Sequence, residues 1–264
     1  MSLVFAAVTP HTPLLIPSIG KNNLKKITKT KEALQKMEEE LYLSHPDTII
    51  IISPHGTVMS DAFTVNFCSE YSVDLKEFGD LLTKQRFRGE SHLPYHIRQA
   101  SYEHDIKTVL ISKSELDYGS AVPLTYLTAH LPNVSIMPIG FSDLEWKQHL
   151  DFGYILKEQI MRTNRRIAVI ASADLSHALT SEAPAGYHAK GKEFDEIMQA
   201  LLSSHNTAGM LKLGPQFLSD AAECGFRSLL IMMGVLRDMN YNYQSYAYES
   251  PFGIGYLTAE FNLA

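Results

Sequence analysis

Three histidines follow three separate apolar runs, and imidazole is the side chain that can both bind a borderline divalent metal and move a proton near neutral pH. Residues 3–8 lead into Thr9-Pro10-His11-Thr12-Pro13, and residues 48–52 lead into Ser53-Pro54-His55-Gly56. Residues 166–170 lead through Ala171-Ser172-Ala173-Asp174-Leu175-Ser176 to His177. Ligands of open α/β sheets bind beyond the carboxyl ends of the strands, so three imidazoles at such ends point to one shared metal or acid/base site.

His11 is flanked by Pro10 and Pro13, which stiffen the backbone that carries it. Gly56 lets the chain bend sharply after His55. Two neutral imidazoles suit iron(II), zinc or copper, and a carboxylate as third ligand would complete a facial triad with open positions. Glu223 is the candidate for that place, because it lies in the apolar stretch 220–238, where a carboxylate is out of place unless paired or metal-bound. An ion pair with Arg227 one turn on is the competing reading. Cys224 is its rival for the metal, although a free cysteine in an apolar helix is commonly a small core residue. Glu249, before Ser250-Pro251-Phe252-Gly253, ranks behind both.

His177 lies several residues past its strand, on a loop that can overhang a cleft, which suits proton transfer rather than ligation. Asp117-Tyr118-Gly119 places a carboxylate and a phenol where they can position a substrate hydroxyl, and His188 can line the same mouth as His177. The remaining histidines, His149 among them, fall in polar or helical contexts that read as surface.

Elements must deliver these residues. Residues 3–8, 48–52, 62–67, 109–111, 135–139 and 167–172 read as strands, and residues 22–43, 93–103, 144–161, 191–204 and 220–238 as helices. A further helix is entered through Pro123. Residues 243–249 and 254–261 look like a closing antiparallel pair. Strands alternating with helices imply a three-layer α/β/α sandwich around a central mixed, mostly parallel sheet. With 264 residues, 45% of them apolar, and no break in composition, residues 1–264 read as a single domain.

The net charge of −6 offers no basic field for nucleic acid, so a small-molecule partner is favoured. The opening apolar stretch fits neither a signal peptide nor a membrane span. Cys68 and Cys224 cannot build a disulfide framework, and a reducing cytoplasm is the expected location. A symmetric homodimer or a higher homo-oligomer is the default assembly.

The segments Pro10-His11-Thr12-Pro13-Leu14, Ser53-Pro54-His55-Gly56, Asp117-Tyr118-Gly119, Ser172-Ala173-Asp174-Leu175-Ser176-His177, Glu223-Cys224-Gly225 and Glu249-Ser250-Pro251-Phe252-Gly253 together resemble the class III extradiol ring-cleavage dioxygenase superfamily, in its AmmeMemoRadiSam system protein B or Memo-like branch. That resemblance spans nearly the whole chain. It implies His11, His55 and Glu223 as ligands of iron(II), with zinc or copper as alternatives, and His177 as the acid/base residue. It also implies a small aromatic diol and O2 as reactants. In the Memo branch a cysteine of this segment belongs to the metal site, and Cys224 matches it. Tyr118 departs from the superfamily, many of whose members carry histidine there; a phenol donates a hydrogen bond but gains no positive charge at neutral pH. A metal-binding or interaction protein without ring-cleaving activity, and hydrolysis at a zinc centre, are the alternative expectations.

Overall fold

An unbroken run of β-branched residues presents apolar side chains on both faces of a strand and so requires a core on each side. In this computed structural model, which describes residues 2–264, the isoleucines at 49–52 show the effect. Ile50 and Ile52 enter one core with Met137, Val169 and Ala171, while Ile49 and Ile51 enter the other with Ile136, Ala168 and Ile170.

The strands are β1 (Leu3–Thr9), β2 (Thr48–Ser53), β3 (Phe63–Asn66), β4 (Glu70–Ser72), β5 (Arg86–Gly89), β6 (Thr108–Ile111), β7 (Ser135–Gly140), β8 (Ile167–Ser172), β9 (Tyr241–Glu249) and β10 (Tyr256–Leu263). They form one sheet in the order β4-β5-β7-β2-β8-β1-β10-β9, with β3 branching from β7 and carrying β6. From β5 to β1 every neighbouring pair is parallel, and β10 and β9 close one edge antiparallel.

The helices are α1 (Pro17–Gly20), α2 (Thr28–Leu43), α3 (Leu93–Glu103), α4 (Tyr118–Leu127), α5 (Trp146–Arg162), α6 (Ala189–Ser203), α7 (Thr207–Met210), α8 (Pro215–Ala221) and α9 (Phe226–Val235). Leu34, Met37 and Leu41 of α2 and Val122 and Leu124 of α4 pack on one face of the sheet. Ile97 of α3, Phe152 and Leu156 of α5, Phe194 of α6 and Leu229 and Met232 of α9 pack on the other. The result is the expected three-layer α/β/α sandwich around a mixed, mostly parallel sheet. No helix among the described residues is long and apolar enough to cross a membrane.

Because β2, β8 and β1 are adjacent and parallel, with Thr9 opposite Ser172 and Ile52 opposite Ala171, their carboxyl ends meet at one sheet edge. The loops bearing His11, His55 and His177 therefore leave side by side.

Two expectations are corrected. The stretch 220–238 is two helices, α8 and α9, separated by a turn in which Ala222 takes a left-handed φ of 48°. Apolar residues on every side gave that stretch no phase to reveal the break. Gly225 sits in the turn where a Cβ would lie 2.3 Å from the Cβ of Ala173, so the chain there is pressed against the exit of β8. Second, α4 begins at Tyr118 with Asp117 as its N-cap, accepting from the Ser120 N–H at 3.0 Å, and Pro123 lies inside the helix. Residues 70–89, to which the sequence assigned no element, contain the short antiparallel pair β4 and β5, in which Tyr71 and Phe87 are buried; three or four residues are too few to show a period.

Candidate metal centre

Beyond the carboxyl ends of β1 and β2, Nε2 of His11 lies 3.0 Å from Nε2 of His55. Metal–imidazole bonds are about 2.0–2.1 Å, so both nitrogens reach a single ion. Which ring nitrogen of His11 carries the proton follows from its neighbours. The Ser172 hydroxyl has one hydrogen and gives it to the Gly119 carbonyl at 2.6 Å, so toward His11 Nδ1, at 2.9 Å, it can only accept. Nδ1 therefore holds the proton, and Nε2 turns a lone pair toward His55.

Both rings stay neutral at pH 7. Burial, and then the charge of His177, lower the pKa of His11 to about 3. Burial lowers that of His55 to about 4, with His11 and His177 adding to it and Asp117 opposing.

The third donor in the group is Cys224: its Sγ lies 3.5 Å from His11 Nε2, and the three donor atoms fall within 4.8 Å of one another. Glu223, the carboxylate expected in that role, is turned to another task. Its Oε2 accepts the Phe226 N–H at 2.6 Å, satisfying one of the free donors at the start of α9. The break between α8 and α9 separates the two adjacent side chains in this way. Burial pushes the Glu223 carboxyl up to about 7, against the Phe226 N–H and Arg227. Burial, with the negative charges of Asp174 and Glu223, raises the Cys224 thiol well above its ordinary value. A divalent cation beside the sulfur reverses that balance and favours the thiolate. Two imidazole nitrogens and a sulfur form a donor set that fits iron(II), zinc or copper.

His177 stands on the loop beside this group. Its backbone N–H donates to the Ala222 carbonyl at 3.1 Å, and its Nδ1 faces the carbonyls of Ala222 at 3.1 Å and Leu175 at 3.2 Å. Carbonyls only accept, so Nδ1 carries the proton and the neutral ring keeps its basic lone pair on Nε2. Tyr118 stacks on His55 with ring centroids 4.1 Å apart, and its hydroxyl lies 2.8 Å from His55 Nε2. Burial and the nearby Cys224 and Asp174 raise its pKa above the ordinary phenol value, which keeps it a donor. Asp117 acts through the backbone: besides capping α4 it accepts from the Ser53 hydroxyl, which in turn accepts the His55 N–H at 3.2 Å.

A cleft of about 700 Å³ opens from His55, Asp117 and Tyr118 and is lined farther out by Asn66, Lys76 and Lys113. Glu249 lies elsewhere, accepting from the N–H and hydroxyl of Thr30 at 2.7 and 2.6 Å. His188 caps α6 by accepting the Lys190 N–H at 3.2 Å. His149, expected at the surface, is fully buried.

Two site residues were missed from sequence. Ser172 orients His11, and buried Asp174 accepts the His11 N–H at 2.9 Å while its Oδ2 lies 3.6 Å from His11 Nε2. Burial raises the Asp174 carboxyl to about 6, with His177 and the His11 N–H opposing. Both stand in the Ser172-Ala173-Asp174 exit of β8, a polar cluster that directly follows a buried strand, and that signal was available.

Residues 5–259 match the family described as the catalytic LigB subunit of aromatic ring-opening dioxygenase. The chain is 28% identical over 265 residues to Protein CA_C1420 of Clostridium acetobutylicum, covering 97% of this chain and 57% of that one, so it spans little more than half that relative's length. It is 26% identical over 293 residues to the 2-aminophenol 1,6-dioxygenase beta subunit of a Pseudomonas species, covering 99% and 94%. Among solved structures, the uncharacterized protein JW3007 from Escherichia coli K12 shares the fold, with a TM-score of 0.67 at 16% identity over 98% of this chain and 100% of that one. With the family match running from β1 into β10, the chain belongs to the LigB family of catalytic subunits of aromatic ring-opening dioxygenases.

Proposed function

We propose that the protein is a non-haem iron(II) extradiol dioxygenase that opens a catechol-type aromatic ring with O2, using His11, His55 and Cys224 to hold the metal and His177 as acid/base. The observation that carries this reading is a neutral donor set of two imidazoles and one thiol beside a third imidazole whose Nδ1 is tied to carbonyls. Iron(II) in this site would bring the diol and O2 into one coordination sphere and pass electrons between them. The donor set also fits zinc or copper; iron(II) is the metal assigned in this reading because it would let electrons pass from the ring to O2.

The chain's own residues then do the following. His177 Nε2 takes the proton of one substrate hydroxyl and returns it as the ring opens; positioned groups of this kind contribute about 10²–10⁴-fold. The Tyr118 hydroxyl, held protonated, donates a hydrogen bond to a reactant oxygen. Asp117 and Ser53 keep His55 and the start of α4 in register, and the cleft beyond Tyr118 receives the ring. The Pseudomonas relative's name, a beta subunit, supports assembly with further subunits, either copies of this chain or a second polypeptide.

The test is to load the protein with iron(II) without oxygen and screen catechols, protocatechuates and aminophenols for the yellow ring-opened product on adding O2. Turnover that disappears in His177→Ala, with iron retained, is the expected result. One bound iron per chain with no ring opening of any substrate would overturn the proposal.

A further inference from the structure

One buried carboxylate outside the metal centre takes no part in the chemistry above, yet it is bonded to the residue before His177. Asp195 of α6 is 1% exposed and makes no ion pair among the described residues. Its Oδ1 accepts the Ser176 N–H at 2.8 Å, and its Oδ2 accepts the Tyr248 hydroxyl of β9 at 2.6 Å. Burying a carboxylate without a cation is unfavourable, so its place in the fold needs a reason.

The loop of His177 supplies one. Of the five amide donors at 175–179, those of Leu175, His177 and Leu179 go to the carbonyls of Gly255, Ala222 and Gly253, and that of Ala178 returns to Ser176 Oγ. Only the Ser176 N–H is held by a side chain from another element. The rest of Ser176 is fixed as well: Oγ donates to the Ala221 carbonyl at 2.7 Å, and its carbonyl accepts the Gly255 N–H at 2.9 Å. Glycine is needed at 255, because a Cβ there would overlap Asp195 Oδ2. Asp195 thus completes a clamp on Ser176, one residue before the imidazole.

The imidazole serves as a base in one register. His177 Nδ1 must face the Ala222 and Leu175 carbonyls, at 3.1 and 3.2 Å, for the proton to sit on Nδ1 and the lone pair on Nε2. A slackened loop loses those contacts and frees the ring to take the other tautomer, which cannot accept a proton at Nε2.

We propose that Asp195 is a positioning residue for His177: it holds the Ser176 N–H while Tyr248 holds the carboxylate, and so fixes the register in which Nδ1 keeps the proton and Nε2 stays basic. The consequence for turnover rests on His177 being the acid/base group. Asp195 acts only through Ser176.

Asp195→Ala tests this with two readouts, one of them independent of turnover. NMR of nitrogen-labelled histidines in zinc-loaded protein, at about pH 8 where ordinary imidazoles are neutral, reports the tautomer of His177, whose signal is the one missing from His177→Ala. The parent is expected to show the Nδ1–H form alone and Asp195→Ala a mixture of both forms. Asp195→Asn should return the parent's form, because an amide oxygen still accepts the Ser176 N–H. With iron(II) loaded, Asp195→Ala should lower kcat about 10–100-fold at unchanged KM and metal content, and Asp195→Asn should restore it. Should urea unfolding show that Asp195→Ala does not fold, Tyr248→Phe decides in its place; it frees one carboxylate oxygen with little change in volume, and a mixture of tautomers is expected there too. An unchanged tautomer or kcat in the deciding variant, a kcat lost together with the metal, or a loss that Asp195→Asn fails to restore would each overturn the proposal. If the parent opens no ring at all, the acid/base reading falls, and the tautomer alone still judges Asp195.

Discussion

The hydroxyl of Ser172 donates at 2.6 Å to the carbonyl of Gly119, the carbonyl that a residue at position 123 would bond in a regular helix. Pro123 has no N–H, so that acceptor is left free inside α4. The proline thereby settles the direction of a hydrogen-bond chain running Gly119, Ser172, His11, and leaves a lone pair on His11 Nε2.

Removing the middle of this chain should weaken metal binding without touching a ligand. Ser172→Ala is expected to lower metal affinity about 10–100-fold, the usual cost of losing a group that orients a ligand. Pro123→Ala should stabilise α4 yet also weaken binding, because the new N–H competes for Gly119. Chelator competition measures affinity, and unchanged affinity in Ser172→Ala would refute the orientation argument.

Glu223 and Cys224 should separate cleanly. Cys224→Ala is expected to lose most of the bound metal. Glu223→Gln should keep it, since an amide oxygen still accepts the Phe226 N–H, and Glu223→Ala should keep it while losing about 1 kcal/mol of stability with the cap. Metal analysis with urea unfolding checks both, and metal loss in Glu223→Gln would restore the carboxylate as ligand.

Tyr118→Phe should retain metal and its stacking on His55 while kcat for ring opening falls about tenfold, equivalent to one hydrogen bond of about 1.4 kcal/mol. A kcat equal to that of the parent would remove Tyr118 from the reaction.

The sandwich was legible because its central strands are long apolar runs with punctuation at their ends, and the same punctuation marked the loops on which His11 and His55 approach each other to 3.0 Å. Which of Glu223 and Cys224 turns toward the histidines was not: apolar residues on all sides of 226–235 hid the break before α9, and the turn at 222–225 brings Cys224 Sγ to His11 and Glu223 to the Phe226 N–H. Ser172 and Asp174 stood in a visible polar exit of β8, but the residues they bond lie more than 50 positions away, and those pairings no local spacing encodes. His149 escaped because helical context does not reveal which face is buried.

Asp195 gives a stability signature. Its carboxylate accepts the Ser176 N–H at 2.8 Å and the Tyr248 hydroxyl at 2.6 Å, holding the loop before His177. Burial raises its pKa from 3.8 to about 6, with Tyr248 and the Ser176 N–H opposing. The folded state therefore binds this proton more tightly than the unfolded chain, and its contribution is fully present below about pH 4 and lost as pH rises through about 6. Asp195→Asn removes that dependence, so the variant should gain roughly 2–3 kcal/mol relative to the parent between pH 4 and 7. Urea midpoints at several pH values measure it, and a pH-independent difference would contradict the assignment.

The central claim is that His11, His55 and Cys224 grip one ion while His177 stays free. X-ray absorption at the metal edge of stoichiometrically loaded protein tests it most directly. The account predicts one metal per chain with imidazole nitrogens near about 2.1 Å and a single sulfur near about 2.3 Å, the sulfur vanishing in Cys224→Ala and the shell unchanged in His177→Ala. A shell without sulfur, or one altered by His177→Ala, would contradict it.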